Sequence, residues 1–83
     1  MISRSDLQDW VVSALRELGG SGSIVGVAKI LWRDHENDLK ASGDLFYTWQ
    51  YDMRWACTKL RKNKVVCAAE ATPKGVWRLV SEK

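Results

Sequence analysis

The chain has 83 residues, of which 46% are hydrophobic and 28% are charged, and its formal net charge is +3 at pH 7. A chain of this length buries only about 60–65% of its unfolded surface, so we expect one domain, residues 1–83, around a single core. Its single proline and ordinary share of hydrophobic residues exclude a disordered or low-complexity chain.

The residue types exclude further classes of protein. No stretch approaches the roughly 18 apolar residues of a spanning helix, and Asp6 and Asp9 stand where a signal peptide is apolar, so we expect no membrane association and a cytoplasmic location.

Cys57 and Cys67 have no second cysteine or histidine pair beside them, which excludes a zinc site and predicts two reduced thiols. With one histidine and no glycine-rich phosphate loop, we expect neither catalysis nor a cofactor.

The first predicted element is a helix over about residues 6–18. The stretch SDLQ, from Ser5 to Gln8, fits a capping box at its start. Apolar residues then recur at helical spacing: Leu7, Trp10, Val11, Ala14, Leu15 and Leu18. Gly19 and Gly20 favour a left-handed helix end.

A second helix is predicted over about residues 25–36, after an extended link at 21–24. Apolar residues again repeat at helical spacing: Ile24, Val27, Ala28 and Leu31. The segment HENDLKASGD, residues 35–44, is polar with one leucine, so that it could continue the helix for a turn or loop out, and we interpret it as a connection. His35 and its acidic neighbours are expected to form a solvated surface, because a metal site needs converging ligands from elsewhere.

The third predicted helix, over about residues 46–62, has two distinct faces. Its inward stripe consists of Trp49, Met53, Ala56 and Leu60. Its opposite arc carries Tyr47, Tyr51, Arg54, Thr58, Arg61 and Lys62, with Gln50 and Trp55 on the flanks. Asn63 is predicted to end the helix in a left-handed conformation.

Two short β-prone runs complete the chain and predict a hairpin over about residues 65–80. The runs are VVCAA and GVWRLV, and the residues TPKG between them, 72–75, match a type I turn with proline in second place. Alternation directs Trp77 and Leu79 inward. The link at 21–24 is free to add a third strand.

Charge is distributed unevenly between the two halves of the chain. Residues 1–45 carry five cations and seven anions, whereas residues 46–83 carry eight cations and three anions. The second half, with the third helix and the hairpin, is therefore the electropositive half.

Three helices followed by a two-stranded hairpin are the element order of a winged helix-turn-helix domain of the α+β class. The stretches ALRELGG (14–20), RWACTKLRKNKVV (54–66) and KGVWRLV (74–80) also resemble the N-terminal winged helix domain of Mrr-type restriction proteins. In that family an aromatic–alanine pair and a later leucine on the third helix precede a strand similar to Gly-Val-Trp; here they correspond to Trp55, Ala56, Leu60 and residues 75–79. The resemblance implies that Trp55 lies in the core.

The resemblance also implies a DNA-recognition module, as in a restriction or modification-sensing system. Asn63 departs from the glycine common after the third helix of the family, and these 83 residues lack the family's nuclease domain, so no cleavage is implied. The expected partner is double-stranded DNA, and a homodimer or an associated protein would strengthen a weak single domain.

The expected DNA contacts lie on the outer arc of the third helix and on the wing. They are Gln50, Tyr51, Arg54, Thr58, Arg61, Lys62, Lys64 and Lys74. Arginine pairs with guanine and glutamine with adenine in the major groove, while the lysines suit phosphates. Two alternatives stay open: a merely solvated cationic helix face, and a protein-docking or dimerisation face built on Tyr47, Tyr51 and Trp55. HARE helix-turn-helix domains, which are similar at the KGVW strand, are regarded as such adaptors.

Overall fold

The computed structural model describes residues 3–80, which form three α-helices and a two-stranded antiparallel sheet. The elements are α1 (Arg4–Glu17), β1 (Ser21–Ser23), α2 (Ile24–Lys40), α3 (Leu45–Lys62) and β2 (Val76–Arg78), with a short 3-10 turn at Ala69–Ala71. The predicted α+β class is confirmed. Glu82 and Lys83, which entered the charge of the second half, lie outside the described residues.

Helix α1 begins earlier than predicted. Ser3 is its N-cap, and the Ser3 backbone N–H donates a hydrogen bond to a carboxylate oxygen of Asp6 at 2.8 Å. The capping box is therefore Ser3 with Asp6, and the prediction of Ser5 with Gln8 is wrong. Both pairs have the required spacing, but Asp6 also places a negative charge at the positive end of the helix dipole.

Helix α2 continues to Lys40, beyond the predicted end at about residue 36, so the interpretation of the segment 35–44 as a connection is wrong for residues 37–40. His35 has non-helical backbone angles, φ −128° and ψ 19°, which kink the helix there. Leu39, the single leucine of the polar segment, is completely buried. Continuing the helix past the kink brings this side chain into the core, and its burial offsets the cost of the irregular turn.

Helix α3 confirms both the predicted span and the predicted inward stripe. Its buried side chains are Trp49, Asp52, Met53, Ala56, Cys57 and Leu60. All of them except Asp52 join the buried residues of α1 and α2 in one hydrophobic core, which also contains Val66 and Trp77. The apolar period of 3.6 residues thus fixes which arc of α3 remains exposed.

The left-handed residue after α3 is Lys64, with φ 64°, and not Asn63, whose φ is −86°. The N–H of Val65 donates to the Leu60 carbonyl at 2.8 Å and the N–H of Lys64 to the Arg61 carbonyl at 3.0 Å, as in a Schellman motif. Helix α1 ends in the same way with Gly19 in the equivalent position, at φ 87°. The prediction for Asn63 was wrong by one residue.

The sheet differs from the predicted hairpin. β2 pairs antiparallel with β1, with Gly22 opposite Trp77, so the third strand that the link was free to add provides the main pairing. On its other edge, β2 is followed by a single bridge between Val66 and Leu79, flanked by a hydrogen bond from the Cys67 N–H to the Arg78 carbonyl at 2.8 Å. The predicted first strand of the hairpin, VVCAA, therefore pairs with the last strand only around Val66.

The turn before β2 is shifted by one residue from the predicted type I turn at 72–75. Its hydrogen bond joins the Val76 N–H to the Pro73 carbonyl at 3.1 Å, which puts Gly75 in third place with φ 80°. The Gly75 carbonyl accepts a hydrogen bond from the Ile24 N–H at 2.9 Å, and this contact anchors the turn to the start of α2. Glycine tolerates the positive φ that this arrangement requires.

The inward and outward faces of the last strand follow the predicted alternation. Trp77 is buried and Leu79 is partly buried, whereas Arg78 and Val80 are exposed. Within residues 3–80, none of the helices combines the length and the apolar character needed to cross a membrane.

Candidate nucleic-acid interface

The outer arc of α3 carries most of the predicted DNA contacts into solvent. The exposed ones are Gln50, Tyr51, Arg54, Thr58, Lys62, Lys64 and Lys74. Lys74 lies in the turn before β2, and Lys64 is the left-handed residue that follows α3. The stripe of buried residues on the opposite side of α3 is the reason that this arc faces outward.

The cations of this surface have no acidic partners among residues 3–80. The ion pairs of the described chain lie on α1 and α2: Arg33 with Glu17 at 2.8 Å, Arg33 with Asp34 at 2.7 Å, and Lys40 with Glu36 at 2.6 Å. The Arg33 guanidinium donates hydrogen bonds to Asp34 and holds the pKa of that carboxyl below its usual range. The acidic residues of α1 and α2 therefore neutralise Arg33 and Lys40 and leave the cations of α3 uncompensated.

Arg61 differs from the other predicted contacts. It is half-buried, and its Nε donates a hydrogen bond to the Cys67 carbonyl oxygen at 3.1 Å. This bond joins the last turn of α3 to the segment that bridges to β2. Arg61 thus has a structural role in addition to the positive charge that it adds to the surface.

Gln50 and Arg54 of α3 share a groove with α2. The α2 residues that line it include Val25 and Lys29, which are exposed on the same side of the molecule. Lys29 was not among the predicted contacts, because the side of α2 that lies next to the outer arc of α3 is set by the packing of the two helices. The one feature of the sequence that could have indicated Lys29 as a contact was a lysine at a polar position of the second helix.

The turn that carries Lys74 lies beside the start of α2. Ser23, the N-cap of α2, is paired with Val76, and Ile24 donates to the Gly75 carbonyl. Lys62 and Lys64 lie at the opposite end of the surface, since Gln50 and Lys62 are about 18 Å apart along α3. The cations of α3 lie in its C-terminal half, from Arg54 to Lys62, over about 12 Å of the helix axis, and Lys64 and Lys74 add two more on the loops that follow.

Trp55 is exposed, and the expectation that it lies in the core is wrong. It keeps 52% of its accessible surface, and its indole makes an edge contact with the Tyr51 ring, with centroids 6.2 Å apart. Its neighbour Ala56 is buried as expected. Ala56 belongs to the buried stripe of α3, whereas Trp55, turned by about 100° from it and away from the stripe, lies outside.

Trp55 also lies between two shallow depressions. One is lined by Tyr51, Arg54, Trp55 and Thr58. The other lies towards α1 and is lined by Ser5, Gln8, Tyr51, Asp52, Trp55, Ala56 and Lys59. Lys59, which was not among the predicted contacts, thus adds a further exposed cation beside the indole.

His35 is not part of a solvated acidic surface, contrary to expectation. Its imidazole stacks on the Trp10 indole, with centroids 3.6 Å apart and 4° between the ring planes. The neighbouring Asp34 and Asp38 are exposed as expected. Across residues 3–80, there is no group of three or more histidine, cysteine or acidic residues that could hold a metal ion.

The two cysteines are free thiols, as predicted. Cys57 is buried in the core, and this burial raises the pKa of its thiol to about 11. Cys67 is partly buried, and its Sγ lies 3.8 Å from the Leu79 carbonyl oxygen. A buried thiol with a raised pKa is a poor nucleophile, so Cys57 is a packing residue.

We compared the chain with protein-family models, with curated protein sequences and with solved structures, and none of the three comparisons gave a match.

Proposed function

We propose that the chain is a winged helix domain that binds duplex DNA, with α3 in the major groove and the turn at Lys74 on the adjacent backbone. The observation that carries this proposal is the set of exposed cations on α3 and the following turn, which have no acidic partners among residues 3–80. A duplex carries a dense array of phosphates, and neutralising them releases counterions, which supplies much of the binding free energy.

The order of the elements supports the same proposal. β2 lies between β1 and the residues next to Val66, so that the chain runs from α3 directly into the sheet and turns back near Lys74. In a winged helix this path forms the wing beside the recognition helix. A restriction or modification-sensing role stays an extension of this proposal that rests on the resemblance alone.

The roles of the individual residues follow from their chemistry. Gln50 and Arg54, in the groove between α2 and α3, are the candidates for base-edge contacts, because their planar groups suit adenine and guanine. Lys29, Lys62, Lys64 and Lys74 are the candidates for phosphate contacts. The Thr58 hydroxyl donates to the Arg54 carbonyl at 3.2 Å, and its oxygen remains available as an acceptor.

A duplex titration at several salt concentrations tests the proposal. We expect the logarithm of the association constant to fall linearly with the logarithm of salt concentration, with a slope of about −0.9 for each phosphate neutralised. The double variant Arg54→Glu/Lys62→Glu should abolish binding. Its matched control, Arg33→Glu/Lys40→Glu, reverses the same number of charges on α2 and should retain binding if it is folded by circular dichroism.

The exposure of Tyr47, Tyr51 and Trp55 favours a second candidate function, docking of a protein partner or of a second copy through α3. Aromatic residues are enriched at the centres of protein interfaces. A chain that binds no duplex at low salt, and whose α3 amide resonances broaden as protein concentration rises, would support this function and contradict the first.

A further inference from the structure

Three large aromatic side chains follow one another along the exposed arc of α3. Tyr47, Tyr51 and Trp55 are spaced four residues apart and keep 84%, 62% and 52% of their accessible surface. We refer to these three residues as the aromatic stripe. Exposing rings of this size leaves a substantial apolar area in water, which a binding partner can cover.

The surroundings of the stripe are polar and cationic. Tyr51 and Trp55 line their shared depression with Arg54 and Thr58, and Lys59 lies beside Trp55 on the α1 side. The large aliphatic residues that are exposed among residues 3–80 lie outside α3: Leu18, Val25, Val65 and Val80. A protein-docking core is depleted in charged residues, whereas rings interleaved with cations are typical of surfaces that stack nucleic acid bases.

An intact duplex does not offer the right surface to such rings. Its grooves present the edges of base pairs, and the π-faces of the bases are covered by their neighbours in the stack. A ring on α3 can therefore stack only on a base that has left the helix, as at a bulge, a flap or a flipped nucleotide.

We propose that the aromatic stripe binds an unpaired base within duplex DNA, with the base stacked on the Trp55 indole and the phosphates beside it held by Lys59 and Lys62. This inference rests on the proposed DNA-binding function and adds a preference for one class of DNA. Lys59 and Lys62 are about 6 Å and about 10 Å beyond Trp55 along the helix axis, so that both ammonium groups can approach the backbone next to the stacked base.

Two features of the site match this ligand. The Tyr51 ring contacts the Trp55 indole edge-on, at 69° between the planes, and so restricts the indole without covering the whole of its face. Asp52, the acidic residue in the depression towards α1, is 5% exposed and already accepts a hydrogen bond from the Thr48 hydroxyl at 2.8 Å. Its carboxylate therefore presents little negative surface to a phosphate.

The test compares two fluorescein-labelled probes, a fully paired duplex and the same duplex with one extra unpaired nucleotide. We expect the chain to bind the bulged probe roughly 5- to 100-fold more tightly, since one base stacked on an aromatic side chain contributes that much. Trp55→Leu should remove this preference without changing the affinity for the paired duplex or the salt slope, because it alters no charge. Trp55→Phe keeps a ring and should retain part of the preference.

Each remaining outcome decides against the inference. Equal affinity for the two probes overturns it while leaving DNA binding intact, and absence of binding to both probes overturns the proposed function as well. If Trp55→Leu weakens the binding of both probes equally, Trp55 contacts DNA without a preference for an unpaired base. If the bulge preference is absent and Trp55→Leu abolishes self-association in sedimentation, the stripe is a protein interface. Thermal unfolding checks that Trp55→Leu, an exposed change, leaves the chain folded.

Discussion

The Nε of Arg61 donates a hydrogen bond to the carbonyl oxygen of Cys67 at 3.1 Å, and this bond closes the junction between α3 and the segment that bridges to β2. The same residue is a predicted DNA contact. Its two neighbours in that role, Arg54 and Lys62, are exposed and have no such partner among residues 3–80. Arg61 is therefore expected to affect stability where the other two do not.

We predict that Arg61→Ala lowers the free energy of unfolding by about 1–2 kcal/mol, because the Cys67 carbonyl loses a charged hydrogen-bond donor. Lys62→Ala, one residue away, should change it by less than about 0.5 kcal/mol. Urea unfolding measures both. Equal unfolding free energies for the two variants would show that the Arg61 bond contributes nothing.

The salt dependence of duplex binding should report individual phosphate contacts. Removing one phosphate-contacting lysine, as in Lys62→Ala or Lys74→Ala, should weaken binding to all sequences and reduce the salt slope by about 1. Lys40→Ala removes the same charge from α2 and should leave the slope unchanged. Fluorescence anisotropy at several salt concentrations measures the slope, and an unchanged slope for Lys62→Ala would remove that residue from the interface.

Lys64 offers a way to separate stability from binding. Its φ of 64° is the left-handed conformation that Gly19 adopts in the equivalent place after α1. Lys64→Gly relieves this strain and should raise the free energy of unfolding by up to about 1 kcal/mol. The same change removes a positive charge and should weaken duplex binding.

Lys64→Ala is the matched control for that prediction. It removes the same charge but keeps a Cβ in the left-handed conformation, so it should weaken DNA binding equally without the gain in stability. If the alanine variant is as stable as the glycine variant in urea, backbone strain at Lys64 is not the cause.

The stack of Trp10 on His35 should stabilise the kinked part of α2. Removing the imidazole in His35→Ala is expected to lower the free energy of unfolding by about 0.5–1.5 kcal/mol, the range for aromatic pairs. His35→Phe keeps a ring over the indole and should recover much of the loss. Comparable destabilisation by the two variants in urea would show that the imidazole acts through something other than stacking.

The buried Cys57 thiol should make the fold less stable in alkali. Burial raises its pKa from 9.0 to about 11, so the folded state keeps its proton where the unfolded state loses it. Its stabilising contribution is complete below pH 9 and declines as pH rises towards 11, by about 3 kcal/mol in total. Cys57→Ala removes this contribution, so its unfolding free energy should decline less over the same interval than that of the parent chain.

Much of the fold was predictable from local patterns. The span of α3, its buried stripe and the inward direction of Trp77 all follow from periodicities of 3.6 and 2 residues, which burial of one face imposes on any amphipathic element. The charge of the second half was equally visible. Because these properties depend only on neighbours along the chain, one sequence was sufficient to predict them.

The tertiary structure decided the features that depend on contacts between distant residues. β1 became the main partner of β2, and Gly75 took its positive φ, because the turn is bonded to the start of α2. Helix α2 extends past its predicted end, and the Leu39 side chain in this extension is buried in the core. Trp55, on a flank of α3, is exposed because the packing of α3 against the other helices buries the stripe from Trp49 to Leu60 and leaves this flank in water. The sequence alone thus determined the three helices and where the positive charge lies, and the assembled core determined the strand pairing and which side chains share a surface.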